Sequence, residues 1–198
     1  KAFICLDDNI NKEVIKKIKN LNYNTYGINK FSNFNILNVS QKENYSSFDI
    51  KINLPSSKIN YIKNIKLPLI GLHNIRNSTA AAAVAFSVGI PNKIIKKGLE
   101  NFSGVQRRFT KIFSYKNVPF YDDYAHHPTE ISEVLNGVRE VYKSKEIICI
   151  FQPHRISRVK NLQEEFSKSF KKADTVILCP IYKAGESLNL GFSYNSFA

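Results

Sequence analysis

Residues 120–131 read FYDDYAHHPTEI and hold two adjacent aspartates, two adjacent histidines and a proline, with half of the chain's four histidines. Carboxylates and imidazoles this close can bind a metal, move protons, or form a polar turn that caps a helix. Pro128 suits a first helical position, and Glu130 in the first turn complements the helix dipole. His127, just before the proline, is most simply a turn residue. Asp122 and Asp123 close an apolar run and could hold a sugar hydroxyl or a metal-bound water. Neighbours on a strand point to opposite faces, so only one of the two faces a ligand. A zinc site needs more ligands at suitable spacing, and the three cysteines in FICLDD, IICIF and VILCP supply none. They read as buried, reduced thiols, and no dedicated metal site is expected.

Other stretches carry chemistry of a different kind. In FQPHRISR, His154 precedes Arg155 and Arg158, whose three-residue spacing lets both guanidinium forks converge on one carboxylate. Only six of the 29 basic residues are arginine, and four of those fall in VQRRF and PHRISR. Lysine cannot supply the flat bidentate fork, so this clustering points to anion binding; surface ion pairing is the plainer reading. In GLHNIRN, Asn74 and Asn77 share one helix face, where two amides can read the edge of a base or simply cap the helix. Arg107 and Arg108 follow a glycine at what reads as a domain joint. They can reach a phosphate or make a salt bridge.

The elements that must position these residues follow from patterning. KAFICLDD reads as a short buried strand, and NINKEVIKKIKN as a helix with Asp8 or Asn9 as N-cap. Alternating runs such as FDIKINL and INYIKNIKLPLI predict strands and hairpins over residues 23–69. The alanine run of GLHNIRNSTAAAAVAFSVGI marks a tightly packed helix ending at Gly89. PNKIIKKGLENF predicts a second helix with Pro91 in its first turn. Beyond SGVQRRF the pattern becomes strand–loop–helix, three times: VPFYDD to PTEISEVLNGVREVY, EIICIF to KNLQEEFSKSF, TVILCPIY to AGES. Buried strands alternating with amphipathic helices predict a mostly parallel α/β sheet, whose ligands bind beyond the carboxyl ends of its strands. Asp122, Asp123, His126 and His127 fall at the first such end, His154, Arg155 and Arg158 at the second, and Glu186 at the third. Three coincidences in register make a site.

The 198 residues suffice for one sizeable domain or two small ones, and 43% hydrophobic with 23% charged residues is a globular composition. No apolar run approaches the ~20 residues of a membrane span. The net charge of +13 raises nucleic-acid binding as a competing reading, but the lysines are scattered and form no stripe. The chain starts at Lys1 and contains no methionine, so it is expected to be part of a longer product.

In order, GLHNIRNSTAAAA, FSGVQRRF, YDDYAHHPTEI, FQPHRISR and IYKAGE resemble the motifs of the Mur ligases of peptidoglycan synthesis. The resemblance is strong from Leu69 to Glu186 and weaker over residues 23–66. FQPHRISR favours the branch that adds L-alanine to UDP-N-acetylmuramate over the murein peptide ligases, which share HN, RR and HHPT. The resemblance implies a UDP-binding domain, a central ATPase domain and a Rossmann-like domain for the amino acid. Residues 1–103 would be the later part of the central ATP-binding domain, and residues 104–198 an incomplete α/β C-terminal domain. There is no GxxxxGK[ST] phosphate loop, so the chain alone is expected to be inactive. The resemblance further implies ATP and Mg2+ as cofactors, with the magnesium ligands mostly elsewhere, and a cytoplasmic enzyme that binds no nucleic acid and inserts in no membrane. By similarity, Asn74 and Asn77 lie by the adenine, Arg108 at the ATP phosphates and Asp123 at the ribose. His126, Arg155 and Arg158 are the catalytic set and, with Tyr124, face the amino acid. His73, His127, His154 and Glu186 receive no definite role.

Overall fold

The computed structural model describes residues 1–55 and 57–187. The chain divides after Gly104 into two compact units, Lys1–Gly104 and Val105–Ala198.

The first unit is built on a five-stranded sheet of order β1-β2-β3-β4-β5, comprising Ala2–Cys5, Tyr23–Gly27, Phe34–Gln41, Ser46–Ile52 and Asn60–Leu67. The first three strands run parallel and the last three pair antiparallel. Helix α1 (Asn9–Lys17) links β1 to β2, and the Asp8 side chain caps it by accepting the Asn11 N–H at 2.9 Å. Parallel neighbours normally need a long crossover. Here β3 pairs only Phe34 and Asn35 with the last two residues of β2, so the short connection over residues 28–33 suffices.

Strict alternation in β4 buries Ser46, Phe48, Ile50 and Ile52 on one face. Against it packs α2 (Leu72–Ser87), whose Ile75, Ala82 and Ala83 are buried; the small side chains let the helix lie close to the sheet. Helix α3 (Asn92–Glu100) adds Ile95. Each buried isoleucine contributes about 1.5–3 kcal/mol of transfer free energy. Two bulges interrupt the β3–β4–β5 ladder, where Asn38 (φ 53°) and Asn64 (φ 54°) adopt left-handed backbone. Asp49 clips both, accepting Asn38 Nδ2 at 2.8 Å and the Asn64 N–H at 2.7 Å.

Three details differ from the sequence reading. β1 is half-buried throughout. Pro91 is the N-cap residue, not an interior one: its backbone is extended (ψ 142°) while its carbonyl accepts the Ile94 and Ile95 N–H groups. The thiols of Cys5, Cys149 and Cys179 are free, but all three residues are half-buried.

The second unit begins with a hairpin that patterning did not announce, β6 (Thr110–Tyr115) against β7 (Val118–Asp122), turned by Lys116 and Asn117 in left-handed backbone. β8 (Ile148–Phe151) and β9 (Thr175–Leu178) pair in parallel as the α/β reading requires. The first of the three expected parallel strands is therefore β7, hydrogen-bonded antiparallel to β6, and not to β8. Its strands are also less buried than predicted, since two-stranded sheets leave Ile148 and Ile150 more than half exposed. Helix α4 (Pro128–Val141) packs on α6 (Gln163–Ser169), with α5 (Ile156–Asn161) just before it. Ile131, Leu135, Phe151, Val159 and Phe166 form the core. The third unit of the pattern ends, at AGES, in a turn and not a helix among the described residues.

Candidate functional site

In the first unit, chemistry gathers at the carboxyl ends of β1 and β2. The Asp7 carboxylate accepts the Ile28 N–H at 3.1 Å, the Asn29 N–H at 3.0 Å and Arg76 Nε at 2.8 Å. On the other side of the same loop, the buried Asn35 amide donates to the carbonyls of Gly27, Ile28 and Asn29 at 3.0–3.3 Å. The loop is thus held by its amides and its carbonyls at once. A Cβ at Gly27 (φ 141°) would sit 2.5 Å from Asp7 Oδ1, so only glycine admits this approach. Burial works against ionising Asp7, yet the two amides and Arg76 outweigh it and lower its pKa.

Arg76 lies between Asn74 and Asn77 on α2. Asn74 gives its amide nitrogen to the Ile70 carbonyl at 2.7 Å, which leaves its oxygen as an acceptor, while Asn77 is exposed. His73 lies over Gly71, where a Cβ would meet its ring at 2.6 Å. The two asparagines therefore share a helix face, as their spacing requires, with one partly spent on the helix start.

In the second unit, the expected residues do converge. His127 is the N-cap of α4; its side chain accepts the Thr129 N–H, Pro128 starts the helix, and Glu130 closes a capping box. Glu130 does more than complement a dipole. It accepts the N–H groups of His126 (3.0 Å) and His127 (3.2 Å), pairs with Arg108 Nη1 at 3.5 Å and lies 3.6 Å from His126 Nδ1. Burial would raise its pKa, but the His126 amide and charge, the His127 amide and Arg108 lower it overall.

The two aspartates separate as a strand end dictates. Asp122 pairs with Arg107 Nε at 3.2 Å, and Arg107 lies 4.7 Å over the Tyr124 ring. Asp123 accepts the Phe109 and Ala125 N–H groups, each at 2.7 Å, through different oxygens. Each oxygen keeps a second lone pair for another donor.

Tyr124, His126, His154 and Tyr182 form a run of rings with successive centroids 5.1, 6.1 and 5.4 Å apart. His126 Nδ1 donates to the Tyr124 carbonyl at 2.9 Å, which leaves Nε2 as the ring nitrogen free of that bond. Arg158 Nη1 lies 3.4 Å from both the ring nitrogen and the carbonyl of His154. Burial first, then the charges of Arg158, His126 and Arg155, lowers the His154 pKa. These rings flank a cleft of about 1160 Å³ between β7 and β8.

Sequence reasoning missed Tyr182, Ser157 and the Asp7–Arg76 pair. Asp7 was within reach, because LDD after β1 repeats the carboxylate-at-strand-end pattern of YDD at the end of β7. Nothing local marks Ser157. Among the described residues, no group of three His, Cys, Asp or Glu could hold a metal ion, and no helix is long and apolar enough to cross a membrane. The described residues therefore offer no such group for magnesium.

Two α/β units with polar and charged side chains massed at their strand ends are the frame in which known proteins can be compared with this chain. The Mur ligase middle domain matches residues 1–85, and the Mur ligase, glutamate ligase domain matches residues 107–191. The chain belongs to the Mur ligase family. Over all 198 residues it is 64% identical to the UDP-N-acetylmuramate–L-alanine ligase of Pelagibacter ubique, covering 43% of that protein. It is 42% identical over 192 residues to the corresponding ligase of Bartonella quintana, covering 96% of this chain and 40% of that one. The solved UDP-N-acetylmuramate–alanine ligase of Thermotoga maritima superposes with a TM-score of 0.65 at 30% identity, covering 80% of this chain and 34% of that one. The chain thus spans about two fifths of the length of the curated relatives it matches.

Proposed function

We propose that this chain supplies the nucleotide edge and the amino-acid site of a cytoplasmic ligase that joins L-alanine to the carboxylate of UDP-N-acetylmuramate at the expense of ATP. The observation that carries the reading is the cluster of Tyr124, His126, His154, Arg155 and Arg158 at the strand ends of the second unit. Two guanidinium groups three residues apart suit a small carboxylate, and aromatic edges on the other side suit a short side chain. The 64% identity with an L-alanine ligase supports alanine as that amino acid.

In the reaction the muramoyl carboxylate takes the γ-phosphoryl group, giving an acyl phosphate and ADP. The L-alanine amine then attacks the acyl carbon, and the tetrahedral intermediate expels phosphate to leave the amide. Arg155 and Arg158 hold the alanine carboxylate, and His126 Nε2 takes the proton that the amine loses on attack. The lowered pKa of neighbouring His154 favours its uncharged form beside that proton. Asn74 and Asn77 contact the adenine, and Asp123 accepts from the ribose with its remaining lone pairs. Arg108 reaches the phosphates by exchanging Glu130 for a stronger anion. Each of these roles is part of the proposal.

A full-length chimera, with this chain exchanged for the matched 198 residues of the Pelagibacter ubique relative, tests it. Phosphate release that requires UDP-N-acetylmuramate, L-alanine and ATP together is the expected result. A chimera that is folded and binds ATP but makes no amide would overturn the reading, as would turnover by the 198 residues alone.

A further inference from the structure

Arg155 has φ 70°. A bulky side chain in left-handed backbone is strained and persists only where its surroundings hold it. Two contacts do so. The Arg155 N–H donates to the Tyr182 carbonyl at 2.9 Å, within an exchange in which the Tyr182 N–H donates to Pro153 at 2.8 Å. Two residues on, Ser157 donates twice to Glu186, through N–H to Oε2 at 2.9 Å and through Oγ to Oε1 at 2.6 Å. The loop after β9 is thereby fastened to the loop after β8 on both sides of Arg155. Arg158 follows one residue beyond Ser157, on the first turn of α5.

We infer that Glu186 is a positioning residue for the amino-acid site: by gripping Ser157 it holds Arg155 in its left-handed conformation and sets the direction in which Arg155 and Arg158 present their guanidinium groups. A carboxylate suits the task because it accepts both donors of one serine at once, one per oxygen. The lowered pKa of Glu186, due first to the Ser157 hydroxyl and amide, agrees with a carboxylate ionised throughout the neutral range. The inference rests on the amino-acid role proposed above for the two arginines.

The full-length chimera separates the two. With Glu186→Ala, the KM for L-alanine should rise about tenfold or more, the KM for ATP should stay within about twofold, and Glu186→Gln, which keeps one acceptor, should fall between. Ser157→Ala removes one of the two bonds and should raise the L-alanine KM by less. In the Glu186→Ala background it should add almost nothing, because both substitutions break one grip. A merely structural Glu186 would lower the amount of active enzyme and leave both KM values alone, or combine additively with Ser157→Ala; either result overturns the inference. If the Glu186→Ala protein does not fold, the Glu186→Gln and Ser157→Ala kinetics decide by the same criterion. Failure of the unsubstituted chimera to use L-alanine would instead count against the function itself.

Discussion

Replacing Asp7 with alanine removes the acceptor of two backbone amides and of a guanidinium in one step. The Asp7 side chain is only 10% exposed and Arg76 26%, so water replaces these bonds poorly. An ordinary net hydrogen bond is worth about 1 kcal/mol and one to a charged group about 1.5–3 kcal/mol; the three share one carboxylate and do not add. The expected cost of Asp7→Ala is about 3 kcal/mol, which lowers the midpoint of a unit of this size by roughly 15 °C. Arg76→Ala leaves the carboxylate its two amides and should cost about 1 kcal/mol. Amide hydrogen exchange reads both effects within the first unit. Amides of β4 report its global stability, and those of Ile28 and Asn29 report the loop. The pH dependence has a definite sign. Folding lowers the Asp7 pKa below its ordinary 3.8, so its contribution is whole above that value and is lost as pH falls through the folded pKa. Unchanged β4 exchange in Asp7→Ala, or an equal loss in Arg76→Ala, would refute the reasoning.

Arg155→Ala in the full-length chimera should raise the L-alanine requirement far more than that for ATP; steady-state kinetics giving equal shifts would sink the assignment. The His154 ring should titrate by NMR below its ordinary 6.5, and Arg158→Ala should move its midpoint upward by removing the nearest charge. Because that pKa is depressed, stability from this group is whole above pH 6.5 and is lost as pH falls through the folded value. Burial pushes the Cys149 thiol up to about 11, so alkylation at pH 8 should be slow in the native chain and fast in denaturant. Phe166→Ala, which empties a fully buried site in the second core, should cost about 3–5 kcal/mol in chemical denaturation.

Where periodicity was strong, the sequence was legible. The alternation of β4, the alanine face of α2 and the Asp8 cap of α1 all follow from local patterns that the packing then reinforces. The hairpin of β6 and β7 was not, because its turn uses Lys116 and Asn117 where glycine would have signalled left-handed backbone. The step from β2 to β3 was equally silent, since its hold is a set of long-range bonds from Asn35 and Asp7. At the candidate site, residue types at strand ends pointed to His126, His154, Arg155 and Glu186. What they could not give was the pairing: that Glu130 serves His126 and Arg108 together, or that Glu186 grips Ser157. Such partners are chosen by the fold and leave no spacing behind.

Sixteen carboxylates face 29 lysines and arginines in this chain, and several of those described carry more than one bond apiece. Asp7, Asp49, Asp123, Glu130 and Asp174 each fasten two or more donors from separate positions, and Glu186 takes both donors of Ser157. Tolerance to mutation should therefore be lopsided. Lysines can be lost across the surface with little effect, whereas neutralising any one of these six acids breaks two or more bonds at once. A deep mutational scan would show the scarce charge as the constrained one.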